Sequence, residues 1–389
     1  MGERTNGQRQ AGLAAFRAAV RSQRVRRAFM WAHRWLGLTG GIVVVLVGLT
    51  GSFLVFYREI DAALNPALYA PAGPDQSVTL IDVMRAAAAA DTAPISTIVA
   101  PDRAWPVWVV MHSHESEKGR YPNLWTTMVD PSNGRVLGRR DYTNSFAFTI
   151  YRLHHTLLLY EWWGKELVGV VGFMLFGSAL SGLYLWWPRQ GRFWRSMSLR
   201  KGVSRQRFVI DIHNTAGFWA LIALVVISIT GAGIIFPGVV RPVVGLLSQA
   251  TPYPSPRIES PPPKGTPQLP PDAIVRVARA AKPGLMIAML DPPTEIRNTW
   301  RVLFRSEGAD PAVRSRGAIW LDPWSGAVVH DRTSDAMQMG DRYMTEQLWL
   351  HNGATFGLVG RLLVFIAGFA PLALVISGWM IWLGKPPRK

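Results

Sequence analysis

Cysteine is absent from the 389 residues. That excludes disulfides, thiolate metal sites, Cys-ligated iron–sulfur clusters and covalent attachment of a c-type haem. Acidic residues are scarce beside basic ones, 25 against 42, and the formal charge of +17 raises nucleic acid as a partner. The basic residues gather beside apolar runs, however, where phospholipid headgroups and insertion topology account for them, and no separate basic recognition domain is visible. No nucleic acid is therefore expected. A Rossmann or flavin-binding glycine fingerprint is missing too, so NAD(P)H is not expected to bind this chain directly.

What the chain does have is four long apolar runs separated by ordinary polar sequence. The first, Trp31 to Tyr57, carries no charge from Leu36 to Phe56. Those residues, rising about 1.5 Å each, cross a hydrocarbon core of about 30 Å. The others are Leu167 to Trp187, Thr215 to Phe236 and Leu362 to Leu383. Three basic clusters orient them. Arg17, Arg21, Arg24, Arg26, Arg27 and Arg34 precede or enter the first run. Arg189, Arg192, Arg195, Arg200, Lys201, Arg205 and Arg207 fill the Pro188–Arg207 loop, which has no acid, and Lys385, Arg388 and Lys389 form the tail. Basic residues stay on the cytoplasmic side, so both termini are expected inside and both large loops outside. The stretch Phe16 to Phe29 reads as an interfacial amphipathic helix, and no signal peptide is expected.

The two outer loops read as small α+β domains. In the first, Ser77–Ala90 is helical. Ile95–Val99, Val107–Met111, Leu124–Val129 and Val136–Leu137 read as strands, with a turn at Asp130–Gly134. In the second, a Pro-rich extended linker leads to a helix at Pro271–Ala281, to strands at Ile287–Leu290, Trp300–Leu303 and Ala318–Leu321, and to a turn at Asp322–Gly326. A helix from Phe148 to Tyr160 precedes the second span. The expected division is a basic N-terminus 1–28, a span 29–58, an outer domain 59–146, and a pre-helix with span 147–188. A cytoplasmic loop 189–208, a span 209–237, a linker with outer domain 238–343, a pre-helix with span 344–384 and a tail 385–389 follow.

The chain repeats itself. At an offset of 180, His33 meets His213, Gly37 meets Gly217, and Thr50–Gly51 meets Thr230–Gly231. At 196, His155 meets His351, Gly164 meets Gly360, Ser181–Gly182 meets Ser377–Gly378, and Trp186 meets Trp382. Both copies run the same way through the membrane, a parallel duplication.

Four histidines in such a frame are candidate ligands. His33 and His213 begin outward-going spans on the cytoplasmic side; His155 and His351 precede inward-going spans on the outer side. Two imidazoles from facing helices are natural axial ligands of a b-type haem, so two haems are expected. Gly37 and Gly217 lie one turn beyond their histidines, where a missing side chain leaves room for a flat macrocycle. His154 is adjacent to His155 and points about 100° away on a helix. It is an alternative ligand or a partner for a propionate. Arg34, Arg152 and Arg361 are candidates for propionates, and each also fits phospholipid headgroups. Zinc, a proton relay and plain interfacial polarity compete with haem; a bare pair of histidines is a poor zinc site. The His112–Glu115 segment, with His112 and His114, is a further candidate for a metal.

The pieces AHRWLGLTGG at Ala32–Gly41, LHHTLL at Leu153–Leu158, DIHNTAGFW at Asp211–Trp219 and SGLYLWWPR at Ser181–Arg189 resemble the PepSY-associated transmembrane family, over about Arg27 to Leu383. The resemblance implies PepSY-like periplasmic domains, bound haem, a bacterial inner-membrane location and reduction of ferric siderophores, releasing Fe(II). The expected fold is a polytopic α-helical membrane protein of four main transmembrane helices, with two small periplasmic α+β domains. The expected activity is a dihaem ferric-siderophore reductase fed by a cytoplasmic reductase or membrane quinol. The alternatives are a cytochrome b-type electron-transfer subunit for another acceptor, and a non-enzymatic regulatory or scaffold protein.

Overall fold

A computed structural model describes residues 23–115, 121, 123–187, 193–263, 265–295, 297–313 and 317–384. Arg17, Arg21, Arg189, Arg192, Lys385, Arg388 and Lys389 of the basic clusters lie outside these residues, as does the first half of the Phe16–Phe29 stretch. In chain order the helices are α1 (Gln23–Val55), α2 (Tyr57–Leu64), α3 (Leu80–Ala90), α4 (Phe146–Thr156), α5 (Gly164–Trp186), α6 (Arg205–Ile235), α7 (Pro237–Gly245), α8 (Pro271–Ala281), α9 (Met339–His351), α10 (Gly357–Ala367) and α11 (Ala370–Leu383). The strands are β1 (Ile95–Val99), β2 (Trp108–His114), β3 (Asn123–Val129), β4 (Val136–Asp141), β5 (Leu285–Asp291), β6 (Trp300–Ser306), β7 (Ala318–Leu321) and β8 (Val328–Arg332).

Four helical stretches are long and apolar enough to cross a membrane: α1, α5, α6 and the pair α10–α11. The chain is thus a multi-pass helical membrane protein with an associated sheet. It divides into a membrane unit (the chain up to Ser52, Gly169–Ala232, and the chain from Phe365) and a second unit holding Phe53–Val168 and Gly233–Val364. Within the membrane unit, the fourth span is broken at Gly368–Phe369 rather than continuous. Pro371 opens α11, and a side chain on Gly368 would run into Ser52 Oγ. The Ser52 hydroxyl donates to the Phe365 carbonyl at 2.8 Å, a contact between the first and fourth spans that only a side-chain-free crossing allows.

In the second unit, Thr79 caps α3 by accepting from the Asp82 amide, and the helix buries Leu80, Val83 and Ala87 at helical spacing. Helix α8 buries Ile274 and Ala278 in the same way. Both stripes enter one core with Ile98, Val110, Val129, Leu290, Phe304 and Ile319 on one face of the sheet. Successive strand residues point to opposite faces. Val109 and Met128 therefore reach the other face, with Trp105 and Tyr69.

Two separate α+β domains were expected, but their strands form one eight-stranded antiparallel sheet in the order β4-β3-β2-β1-β5-β6-β7-β8. The joint is β1 on β5, pairing Ile98 with Leu290 and Val99 with Met289. Leu80 donates its amide to Asp272 at 2.8 Å, Thr97 donates to Asp291 at 2.7 Å, Arg305 donates to Asp102, and Arg58 donates to the Pro311 carbonyl. These are ties between the halves. Arg361 is likewise engaged within the protein, with Glu59, Asp310 and the Val55 carbonyl.

Candidate functional site

Four histidines form two pairs of facing rings. His33 of α1 and His213 of α6 have ring centres 6.2 Å apart and planes at 89°. The neighbouring spans hold them by one repeated construction. His33 Nδ1 lies 3.0 Å from the Ser178 carbonyl and 3.1 Å from Ser181 Oγ on α5. His213 Nδ1 lies 3.1 Å from the Leu374 carbonyl and 2.9 Å from Ser377 Oγ on α11. A carbonyl accepts and never donates, so Nδ1 of each ring carries the hydrogen. That leaves the Nε2 lone pair of each ring free for a metal.

The glycines beside these serines matter more than the two expected ones. A side chain on Gly182 would meet His33 Cε1 at 3.1 Å, and one on Gly378 would meet His213 Cε1 at 3.6 Å. Gly37 faces open space, and Gly217 makes only an ordinary contact with Leu374. The Ser–Gly match was visible in the repeat, but its role needed the side-by-side placement of helices that sequence order does not contain.

The second pair departs from the repeat frame. His154, not His155, faces His351, with ring centres 6.1 Å apart and planes at 55°. His155 instead stacks on Tyr151 one turn earlier, at 5.2 Å and 13°, and its Nδ1 lies 3.3 Å from the Tyr121 hydroxyl. Burial lowers the His155 pKa, Lys165 adds to the effect and Glu166 opposes it. The frame aligns linear order and is blind to the roll of a helix, where adjacent residues point about 100° apart.

The arginines divide. Arg152 Nε is buried without a hydrogen-bond partner among the described residues. Arg34 is half-buried and forms no ion pair among them. His112 is fully buried, with Nδ1 3.0 Å from the Ala93 carbonyl, and His114 pairs with Asp91. These are structural roles for the His112–Glu115 segment. No group of three or more His, Cys, Asp or Glu that could hold a metal ion occurs among the described residues. Each histidine pair thus stands without a third such side chain beside it among the described residues.

Four apolar spans, a joined sheet and ring pairs between helices define a multi-pass membrane protein with an associated α+β unit. The family model described as the PepSY-associated TM region matches residues 30–385, and the chain belongs to that family. No curated protein matches it.

Proposed function

We propose that the protein is a transmembrane electron-transfer protein holding two b-type haems, one between His33 and His213 and one between His154 and His351. The ring separation carries this reading. Two imidazoles binding one metal from opposite sides, at roughly 2 Å per bond and about 1 Å more to each ring centre, stand about 6 Å apart. Both pairs have that spacing, 6.2 and 6.1 Å. When bound, haem supplies reversible one-electron chemistry.

The chain's own residues would do the rest. Ser178 and Leu374 carbonyls fix the ligating tautomer. The open side of Gly37 leaves room, and Arg152 and Arg34 are cations for acidic groups on the ligand. The basic clusters support a bacterial inner-membrane protein with the His33–His213 pair toward the cytoplasm and the sheet in the periplasm. The donor would be a cytoplasmic reductase or membrane quinol. The narrower reading, reduction of a ferric siderophore, follows from the family resemblance. The paired rings favour electron transfer as such and specify no acceptor. A second reading, a non-enzymatic regulatory or scaffold protein, is favoured by the continuous sheet with its solvent-facing edge strand β8, which suits docking with no cofactor at all.

Absorption spectra of the detergent-purified protein test this. The expected result is a Soret band with split α/β bands on dithionite reduction and two haems per chain. His33→Ala or His213→Ala removes one haem, His154→Ala or His351→Ala the other, and His155→Ala neither. A colourless protein after haem supplementation overturns the reading.

A further inference from the structure

The grip on the first histidine pair is doubled, and the second hold on each ring is a hydroxyl. Ser181 Oγ lies 3.0 Å from the Ser178 carbonyl, and Ser377 Oγ lies 2.6 Å from the Ala373 carbonyl. Each hydroxyl therefore donates its hydrogen back along its own helix. What it offers the histidine is a lone pair, which accepts from Nδ1–H at 3.1 Å for Ser181 and 2.9 Å for Ser377. At each ring a carbonyl and a hydroxyl thus share one N–H at short range, with the Ser178 hydroxyl a longer third neighbour of His33 Nδ1 at 3.4 Å, and rotating the imidazole about its Cβ–Cγ bond disturbs the short contacts. The glycine after each serine has no side chain to restrain that rotation by contact. Hydrogen bonding sets the roll of the ring, and the two rings end at 89°.

We propose that Ser181 and Ser377 are positioning residues that lock the His33 and His213 planes perpendicular to each other and strengthen both Nε2 atoms as donors. This rests on the haem reading above. An imidazole whose Nδ1–H is given to good acceptors is more basic at Nε2. A more basic pair favours the oxidised, more highly charged iron, so the two hydroxyls hold the potential of this centre down. The second pair, at 55°, is the internal reference, because its ligand planes are set by other contacts.

The test uses the full-length haem-loaded protein and the variants Ser181→Ala, Ser377→Ala, the double alanine, and Ser181→Thr and Ser377→Thr. Threonine keeps the hydroxyl and its habit of bonding back to the helix. Three quantities are read: haems per chain, the low-spin ferric electron paramagnetic resonance signal, and the midpoint potentials. In the wild type, perpendicular planes give a signal with a single large g-maximum. The alanine variants are expected to keep both haems, to lose that signal in favour of a rhombic one, and to raise one midpoint while the other stays put. Threonine restores both properties. An unchanged signal and potential in the double alanine, with both haems in place, overturns the proposal. Loss of one haem in alanine and threonine variants alike also overturns it, since the serines would then serve only packing. If the wild type binds no haem, or binds two in the His33→Ala, His213→Ala double variant, the haem reading itself falls. That result is visible before any serine is changed.

Discussion

Asp91 shows how much a single carboxylate settles in the sheet unit. It is only 5% exposed, and its oxygens accept from His114 Nε2 at 2.9 Å, Arg139 Nε at 2.9 Å and the Ala93 amide at 3.0 Å. Burial alone would raise its pKa. The hydrogen bonds from His114, the Ala93 amide and Arg139 outweigh burial and hold it at about 2, below the ordinary 3.8. The folded state thus binds this proton more weakly than the unfolded state. The stability from ionised Asp91 is fully present above about pH 4 and is lost as pH falls toward about 2. Asp91→Asn is expected to destabilise by about 2 kcal/mol at pH 7, with the difference shrinking toward pH 2–3. Thermal unfolding of both proteins across that range measures it; a gap independent of pH would contradict the assignment. At this scale the sequence announced which histidines to watch. It did not announce that His154 rather than His155 turns toward His351, nor that Ser181 and Ser377 hold the other pair. Side-chain roll and cross-helix acceptors are tertiary facts.

Among elements, the joint between α4 and α5 is the strained one. Leu157, Leu158 and Trp163 all have positive φ, at 53°, 61° and 61°. For residues with a side chain the left-handed region costs about 1–2 kcal/mol each. In the second half the position matching Leu157 is Gly353, φ 80°, packed so closely on Gly360 that a side chain would run into its carbonyl. Leu157→Gly is therefore expected to be neutral or stabilising by up to about 1 kcal/mol, because relief of strain offsets the greater freedom of unfolded glycine. Gly353→Ala is expected to destabilise by more than about 2 kcal/mol. Equilibrium unfolding in detergent compares them, and equal effects would refute the contrast. The apolar runs made the spans legible to within a few residues at most ends. The break at Gly368 was missed because the span was read from its apolar run alone, although Pro371, at the start of the following helix, marks a stop. Strand β8 was missed because Val328 and Val329 face solvent on an edge strand, where the alternation that marks a half-buried strand is lost. Helix α7 was missed because Pro237 and Pro242 read as breakers.

At the scale of the whole molecule, the β1–β5 seam makes one cooperative body of the sheet unit. Leu290 is fully buried there, opposite Ile98. Leu290→Ala is expected to cost about 2–5 kcal/mol and to lower hydrogen-exchange protection in β1–β4 as well as in β5–β8. Loss confined to β5–β8 would mean that the halves unfold independently. No local pattern announces this seam, since its partners are some 190 residues apart in sequence; the repeat suggested two similar bodies and was silent on their union. The pairing of distant histidines also has a consequence in time. His213 follows His33 by 180 residues, and His351 follows His154 by 197. At a synthesis rate of about 5–20 residues per second, each earlier histidine waits on the order of 10–40 s for its partner. During biogenesis the growing chain carries lone imidazoles at the membrane, and the pairs complete in a fixed order, the second 138 residues after the first. A ribosome that stalls between them leaves a chain with one pair finished and the other still half made.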